Sequence, residues 1–442
     1  MTPKTPAKDI SWNSPRWKGI TRPYTHAAVG LLRGTVRVEH SLARTGAEKF
    51  WKLLRSEAYI PALGALNGNQ AVEMAQAGLK AVYLSSCQLT GTPAADLPAA
   101  VRAANQALLR ADQVAHSQRR GKFDWMLPVV ADGDSDTLNT FDSMKAMIEA
   151  GAAAVHFDDQ VPTSRKCMQT FNKVLIPTEE AIQKLVAARL AADTLGVPTV
   201  IIARTDAESA SYINGDFDPR DTPFLTGETT SGGYRVFRGG MQAAIARAKA
   251  YAPYADLLWC ESAELNLDDA REFANAIHAR FPGKMLAYNC SPSFHWRAKM
   301  NEDDIACFQR DLAAMGYRFQ FITLAGYHTL NLSMYQFAKD YAHSGMTAYS
   351  QIQQLELEMA KQLGHTNVGS TEADESDFLG AVSSAIQHGH RPERKPRKLA
   401  VVEPFELDGV DYNGDEATER TPMPHLYPSL KSVPRPSAAA AD

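Results

Sequence analysis

The chain has 442 residues, of which 45% are hydrophobic and 22% are charged, and its formal net charge at pH 7 is −4. This is the composition of a globular protein with a large core, and it argues against a basic nucleic-acid-binding protein. The five widely spaced cysteines contain no CxxC pair, so they predict neither a disulfide framework nor a zinc site and favour the reducing cytoplasm. We expect no membrane association, because no apolar run approaches the roughly 20 residues of a span and the polar N-terminus lacks the apolar centre of a signal peptide.

Eight short, mostly apolar runs alternate with longer amphipathic segments, a pattern typical of buried parallel strands separated by helices. The predicted strands are residues 60–66, 81–85, 126–131, 153–157, 199–203, 256–260, 284–288 and 318–323. The clearest predicted helices are residues 141–150, 178–195, 240–252 and 268–280. This alternation favours an α/β fold of the (β/α)₈ TIM-barrel type over a doubly wound sheet.

Changes in composition along the chain predict four regions. Residues 1–55 form an N-terminal extension with a helix-compatible stretch at 38–54, and residues 56–335 form the catalytic barrel. Residues 336–386 are predicted to be a C-terminal helical region. The basic, Pro- and Ala-rich residues 387–442 are predicted to be an irregular tail.

Polar residues follow nearly every predicted strand, and in a barrel these strand ends converge on the face that carries the active site. Asp132 and Asp134 follow the third strand, Asp158 follows the fourth, and Glu261 follows a later one. Such carboxylates suit Mg²⁺, or alternatively Mn²⁺, with water completing the coordination. On spacing alone, helix capping or loop solvation explains these acids equally well.

Other polar residues at strand ends suit the binding of an anionic substrate. Arg204 can form a bidentate pair with a substrate carboxylate, or equally an internal salt bridge with Asp206. Asn289, Ser291 and Ser293 offer neutral donors to a carboxylate, although a plain Ser/Pro turn is the alternative.

A cysteine stands between two of the predicted elements. Cys167 follows Arg165 and Lys166, and adjacent cations can lower the pKa of a thiol. Sequence spacing alone does not separate this interpretation from a surface cysteine without function.

Several stretches, in order from about residue 16 to residue 331, resemble the isocitrate lyase family. The most specific is residues 177–207, PTEEAIQKLVAARLAADTLGVPTVIIARTDA, accompanied by RWKGI at 16–20, VEHSLAR at 38–44 and NCSPSF at 289–294. The resemblance implies a barrel, bound Mg²⁺, and an oligomer that is usually a homotetramer with exchanged C-terminal helices. It also implies the lyase reaction of the glyoxylate cycle, a retro-aldol-type cleavage of isocitrate to glyoxylate and succinate.

By position, the resemblance assigns roles to individual residues. Asp132 resembles the main metal-binding aspartate, and Asp134, Asp158 and Glu261 resemble acidic neighbours that act largely through water. The residues that it implies for substrate binding are Ser85, Ser86, His156, Arg204, Glu261, Asn289, Ser291, Ser293 and Thr323.

The resemblance also implies three catalytic residues. Tyr83 is a candidate for the base that removes the substrate hydroxyl proton, and Arg204 would offset the charge that develops as the bond breaks. Cys167 resembles the cysteine on a closing loop that returns a proton to the carbanion.

Four departures from the family pattern fall in the predicted site. The family's Lys-Lys-Cys-Gly-His reads RKCMQ at residues 165–169, and Cys87 replaces a substrate-contacting Trp before a much shortened segment. The Gly-rich turn after Asp132 is missing, and Asp158 stands where Glu is usual. Three hypotheses therefore stay open: a lyase for isocitrate, a lyase for 2-methylisocitrate or another 2-hydroxy polycarboxylate, and a catalytically weak metal-binding paralogue with a structural or regulatory role.

Overall fold

The computed structural model describes residues 10–86, 96–118, 123–133, 139–161, 173–363, 378–383 and 385–386. The strands are β1 (Ile60–Gly64), β2 (Ala81–Leu84), β3 (Val129–Asp132), β4 (Ala154–Asp158), β5 (Lys173–Leu175), β6 (Val200–Thr205), β7 (Ala210–Ile213), β8 (Leu225–Thr229), β9 (Arg235–Phe237), β10 (Leu257–Cys260), β11 (Met285–Asn289) and β12 (Tyr317–Ile322). The helices are α1 (His26–Arg33), α2 (Ser41–Ser56), α3 (Gly68–Gln76), α4 (Leu97–Ser117), α5 (Thr140–Ala150), α6 (Thr178–Leu195), α7 (Met241–Tyr251), α8 (Leu267–Arg280), α9 (Trp296–Lys299), α10 (Glu302–Ala314), α11 (Ala325–Ser344) and α12 (Met346–Leu363).

Eight parallel strands close a barrel in the order β1, β2, β3, β4, β6, β10, β11, β12, and β12 pairs with β1. Each of the eight predicted strands overlaps one of these, so the predicted (β/α)₈ barrel is confirmed. Helix α6 has the predicted bounds. It ends at Gly196, whose left-handed backbone (φ 69°) suits glycine because other residues are strained there.

Alternate residues of each strand point into the barrel, as the pleat of a strand requires. The buried interior includes Ile60, Ala62, Ala81, Tyr83, Val130, Ala154, Val200, Ile202, Leu257, Trp259, Ala287, Phe319 and Phe321. Phe50 and Leu54 of α2 belong to the same cluster, and the Phe50 ring meets Phe319 edge-on at 5.3 Å. Helix α2 therefore covers the amino-terminal end of the barrel, and the strand ends that carry polar residues lie at the other end.

Residues of the opposite parity face the surrounding helices. Cys260 and Cys290 are buried in this outer layer, as expected for core cysteines. Asp159 also points outward, although its neighbour Asp158 points inward. The Asp159 carboxylate accepts hydrogen bonds from Arg247 (2.9 Å) and Tyr251 (2.9 Å) of α7, so it supports the fold.

A second sheet, with strand order β5-β7-β9-β8, was not predicted, because its strands are only three to five residues long and partly exposed. The segment between β7 and β8, although far away in the sequence, caps the amino-terminal end of α6. Asp221 accepts from the backbone N–H of Thr178 at 2.7 Å, and Asp218 accepts from that of Glu179 at 2.6 Å. These carboxylates satisfy donors that the helix itself leaves open.

Helices α11 and α12 include the first part of the predicted C-terminal helical region, up to residue 363, and leave many large apolar side chains exposed. Examples are Leu332, Met334, Tyr335, Met346 and Tyr349. Among the described helices, none combines the length and apolar character needed to cross a membrane.

Candidate active site

Along each barrel strand, every second residue points into the barrel, and at the carboxyl-terminal end of the barrel these inward positions are occupied by polar residues. Positions that continue the interior rows of β2, β3, β4, β6, β10, β11 and β12 are Ser85, Asp132, His156, Asp158, Arg204, Glu261, Asn289 and Thr323. The structure therefore brings most of the predicted site residues to one end of one barrel. Asp134 and Cys167 lie outside the described residues.

Two hydrogen-bonded pairs, Tyr83 with His156 and Ser86 with Asp132, lie side by side and form a group that we call the Asp132 cluster. The Ser86 hydroxyl donates to Asp132 Oδ2 at 2.6 Å, and His156 Nδ1 lies 3.9 Å from Asp132 Oδ1. On its other side, His156 Nε2 is 2.8 Å from the Tyr83 hydroxyl. Tyr83 and His156 are therefore joined by a hydrogen bond, and the Asp132 carboxylate lies close enough to the imidazole to act on it electrostatically.

A second group, the Arg204 cluster, consists of Lys173, Arg204, Asp206 and Glu261. Arg204 Nε and Nη2 donate to the two oxygens of Asp206 at 2.7 and 2.8 Å, so the internal salt bridge weighed from the sequence is present. Lys173 Nζ also donates to Asp206, at 2.7 Å. Glu261 Oε1 lies 3.9 Å from Arg204 Nη2.

Lys173, Arg204 and Asp206 are charged at neutral pH. Burial alone would lower the pKa values of Arg204 and Lys173, but the attraction of Asp206 and Glu261 raises both above their ordinary values. Burial would likewise raise the pKa of Asp206, yet Arg204 and Lys173 hold it well below its usual range. Two cations thus share one buried carboxylate.

Trp259 lies between the two clusters in the barrel interior and was not singled out from the sequence. Its ring meets the His156 ring edge-on at 5.0 Å, and the Arg204 guanidinium carbon lies 4.5 Å from its centre. A cation over an indole face is stabilised electrostatically, so Trp259 supports Arg204 from below. The sequence feature that could have identified Trp259 is its position two residues before Glu261, which places both side chains on the same, inward-facing side of the chain.

The remaining predicted binding residues are linked to one another. Thr323 Oγ1 donates to Asn289 Oδ1 at 2.6 Å, and Asn289 Nδ2 donates to Glu261 Oε1 at 3.2 Å. The Ser291 and Ser293 hydroxyls are 2.6 Å apart, within the turn after β11. The hydrogen bond between Ser291 and Ser293 is typical of a polar turn. Both hydroxyls can still donate to a ligand, because a hydroxyl hydrogen can rotate about the C–O bond.

The carboxylates of the mouth are of the kind that binds a hydrated divalent cation. Among the residues that the structure describes, no group of three or more His, Cys, Asp or Glu side chains is arranged to hold a metal ion. Mg²⁺ commonly takes one or two carboxylates and keeps several waters. Asp132 and Asp158 are buried at the mouth, and Glu261 Oε2 is buried there with no hydrogen-bond partner in the described part of the chain.

Two cavities lie away from these clusters. One, of about 560 Å³, is lined by residues that include Arg16, Trp17 and Trp51 next to α2. The other, of about 390 Å³, is lined by Arg33, His40 and neighbouring residues. Neither is lined by a predicted site residue, so the candidate site rests on the converging side chains.

Comparisons with known proteins agree with the resemblance seen in the sequence. Residues 99–232 and 228–378 match the family model described as Isocitrate lyase family. Isocitrate lyase of Halalkalibacterium halodurans is 50% identical over 399 residues, which cover 86% of this chain and 93% of that protein. Isocitrate lyase of Escherichia coli (strain K12) is 48% identical over 405 residues, with coverage of 86% and 93%.

The fold has counterparts among solved structures. A phosphoenolpyruvate phosphomutase from Streptomyces platensis subsp. rosaceus superposes with a TM-score of 0.51 and 17% identity, over 76% of this chain and 99% of that one. At this identity the likeness concerns the fold alone. The matching family model and the relatives that share about half of its sequence show that the chain belongs to the isocitrate lyase family.

Proposed function

We propose that the protein is an isocitrate lyase, a carbon–carbon lyase that cleaves isocitrate to glyoxylate and succinate with the help of Mg²⁺. The observation that carries this proposal is the meeting of Asp132, Arg204 and Asn289 at the mouth of one barrel. The relatives named isocitrate lyase, at 48–50% identity over most of the chain, support the choice of isocitrate as substrate.

Asp132 would hold the metal directly, and Asp158 and Glu261, together with Asp134, would hold it through water. The support is that Asp132, Asp158 and Glu261 are buried at the same end of the barrel. When bound, Mg²⁺ would polarise the substrate oxygens and neutralise negative charge that develops on them. Mn²⁺, which also prefers oxygen ligands, would serve the same purpose.

Arg204 would bind a substrate carboxylate with the N–H groups that Asp206 does not occupy. Asp206 engages Nε and Nη2, so the edge that carries Nη1 remains for a ligand. Asn289, Ser291, Ser293 and Thr323 would donate to further carboxylate oxygens. Neutral donors suit this task because they bind an anion without adding net charge to the site. Ser85, which is buried at the end of β2, would complete the site at the glyoxylate end together with Ser86.

The proton transfers would use two residues, Tyr83 and Cys167. The Tyr83 hydroxyl would accept the proton of the substrate hydroxyl while it passes its own proton to His156 Nε2, which lies 2.8 Å away. As that oxygen forms the aldehyde of glyoxylate, the electron pair of the broken C–C bond stays on the succinate carbon. The Cys167 thiol would then give its proton to that carbon and become a thiolate, and return of the proton taken from the substrate hydroxyl would restore the thiol.

We further propose a cytoplasmic homotetramer in which C-terminal helices cover a neighbouring subunit. The exposed apolar side chains of α11 and α12, such as Leu332 and Tyr335, support this assembly. Large contiguous apolar surfaces usually mark sites of association. The free thiols of Cys260, Cys290 and Cys307 are in keeping with a reducing compartment.

The test is an assay of the purified full chain with Mg²⁺ and isocitrate, with glyoxylate trapped as its hydrazone. We expect glyoxylate and succinate in equal amounts, and none from an Asp132→Asn variant. 2-Methylisocitrate is assayed in parallel, because Cys87 stands where the family has a substrate-contacting Trp. Faster cleavage of 2-methylisocitrate would change the assigned substrate. No glyoxylate from either acid, in a protein that still binds Mg²⁺, would favour the paralogue without lyase activity.

A further inference from the structure

Lys173 is a charged residue of the site that the proposed reaction does not use. It begins β5 and is the sixth residue after Cys167 in the sequence. Its side chain is 11% exposed, and its ammonium group donates to Asp206 Oδ1 at 2.7 Å. Burying an ammonium group is costly unless it is paired, so this placement calls for a physical explanation.

The carboxylate that Lys173 contacts is the one that orients Arg204. Asp206 is fully buried, and its two oxygens accept from Nε and Nη2 of Arg204. Its backbone N–H is fixed as well, since it donates to Asp159 at 2.9 Å. Asp206 is therefore a rigid support, and the orientation of the guanidinium depends on it.

The count of charges shows what Lys173 adds. Arg204 and Asp206 alone form a neutral pair, which attracts an anion weakly. With Lys173 these three groups sum to +1, so the formal charge of the whole cluster, with Glu261 included, is 0 rather than −1. Asp206 Oδ1 is then shared by two donors. A second donor on Oδ1 also limits how strongly Asp206 can draw Arg204 away from a ligand.

We propose that Lys173 is a positioning residue for substrate binding, which holds Asp206 in place and adds to the Arg204 cluster one positive charge that favours the binding of a polycarboxylate. This inference rests on the proposed function only for the identity of the substrate. The effect of the Lys173 charge on binding applies to any dicarboxylate that binds at Arg204.

Lys173→Met removes the charge and keeps much of the side-chain volume, whereas Lys173→Arg keeps the charge. Two unit charges about 10 Å apart at an effective dielectric constant of about 20 correspond to roughly a tenfold change in binding. We expect Lys173→Met to raise the KM for isocitrate about tenfold, to change kcat less than about threefold, and to weaken the dependence of KM on ionic strength. Lys173→Arg should recover most of the affinity.

Lys284→Met is the matched control. Lys284 is another largely buried lysine, but it lies before β11, at the opposite end of the barrel, and donates to the Ala255 carbonyl at 2.7 Å. We expect its loss to leave the KM unchanged. An equal rise of KM in both methionine variants would overturn the inference, because it would indicate a general effect of losing a buried lysine.

Binding of succinate in the presence of Mg²⁺, measured by calorimetry, separates this inference from the proposed function. If wild type cleaves isocitrate but Lys173→Met binds succinate and isocitrate as wild type does, the inference is wrong and the function stands. If wild type does not cleave isocitrate, the proposed function fails. The inference then survives only if Lys173→Met binds succinate about tenfold more weakly than wild type and Lys284→Met.

Discussion

The role of Tyr83 can be tested directly, because its ring and its hydroxyl make different contacts: the ring packs in the barrel interior and the hydroxyl contacts His156. The side chain is 1% exposed, its ring stacks on Phe321 with centres 4.3 Å apart, and its hydroxyl lies 2.8 Å from His156 Nε2. Tyr83→Phe therefore removes one oxygen and keeps the packing of the barrel interior. Loss of one hydrogen-bond partner in a buried site costs about 1–3 kcal/mol of stability.

The expected effect on the reaction is much larger than the effect on stability. A positioned general base contributes about 10²- to 10⁴-fold to the rate, so kcat should fall by at least about a hundredfold if Tyr83 accepts the hydroxyl proton. Initial rates of glyoxylate formation give kcat, and urea unfolding gives the change in stability. The KM should change little, because the ring and the carboxylate-binding residues stay in place.

Tyr317→Phe provides the control for the loss of a buried hydroxyl. The Tyr317 side chain is also buried on a barrel strand, but it faces the helices and its hydroxyl donates to the Ala270 carbonyl at 2.9 Å. This variant should lose a similar amount of stability and keep its kcat. If Tyr83→Phe retains a kcat within about threefold of that of Tyr317→Phe, Tyr83 is not the base, and proton transfer from Tyr83 to His156 has no catalytic role.

Three further outcomes follow from the site and from the barrel. Cys167→Ser should abolish turnover and leave succinate binding within about twofold, whereas an unchanged rate would exclude the thiol as proton donor. Chelation by EDTA should abolish activity until Mg²⁺ is restored, and Asp132→Asn should weaken Mg²⁺ binding, measured by calorimetry, at least about tenfold; unchanged binding would place the metal elsewhere. Burial lowers the pKa of Lys284 from 10.5 to about 8, so between these pH values the unfolded chain holds a proton that the folded protein has lost. The contribution of Lys284 to the free energy of unfolding should therefore become more favourable across this window. The Tm of wild type minus the Tm of Lys284→Met should increase from pH 8 to 10.5; a constant difference in Tm would contradict this.

The sequence was sufficient to predict the barrel because two independent patterns agreed. The strands are short apolar runs, and polar residues such as Asp132 and Arg204 close or follow nearly every one of them. The small sheet of β5, β7, β8 and β9 escaped prediction because neither pattern applies to it. Its strands are short and partly exposed, and tertiary pairing rather than local apolar content holds them together.

The candidate site could be predicted residue by residue but not as a set of contacts. Strand parity explains why Asp132, His156 and Arg204 share the barrel interior, and that parity can be read along the chain. The contact of Lys173 with Asp206 joins residues 33 positions apart, and only the fold brings them together. For the same reason the sequence could not decide between a substrate-binding Arg204 and an internal salt bridge, since the structure allows both at once.

Two arginines near β6 show why that ambiguity is physical. Arg189 of α6 donates to Asp256 at 2.6 Å and to the Thr199 carbonyl at 2.9 Å, with its side chain 2% exposed at the amino-terminal end of the barrel. Arg204 also pairs with a buried aspartate, but its side chain is 18% exposed at the opposite end. Both are Arg–Asp pairs, and both compensate a buried charge. What distinguishes them is the outer edge of the guanidinium: in Arg189 both terminal nitrogens are engaged by the protein, and in Arg204 one edge faces the mouth, where a substrate carboxylate can complete its hydrogen bonds.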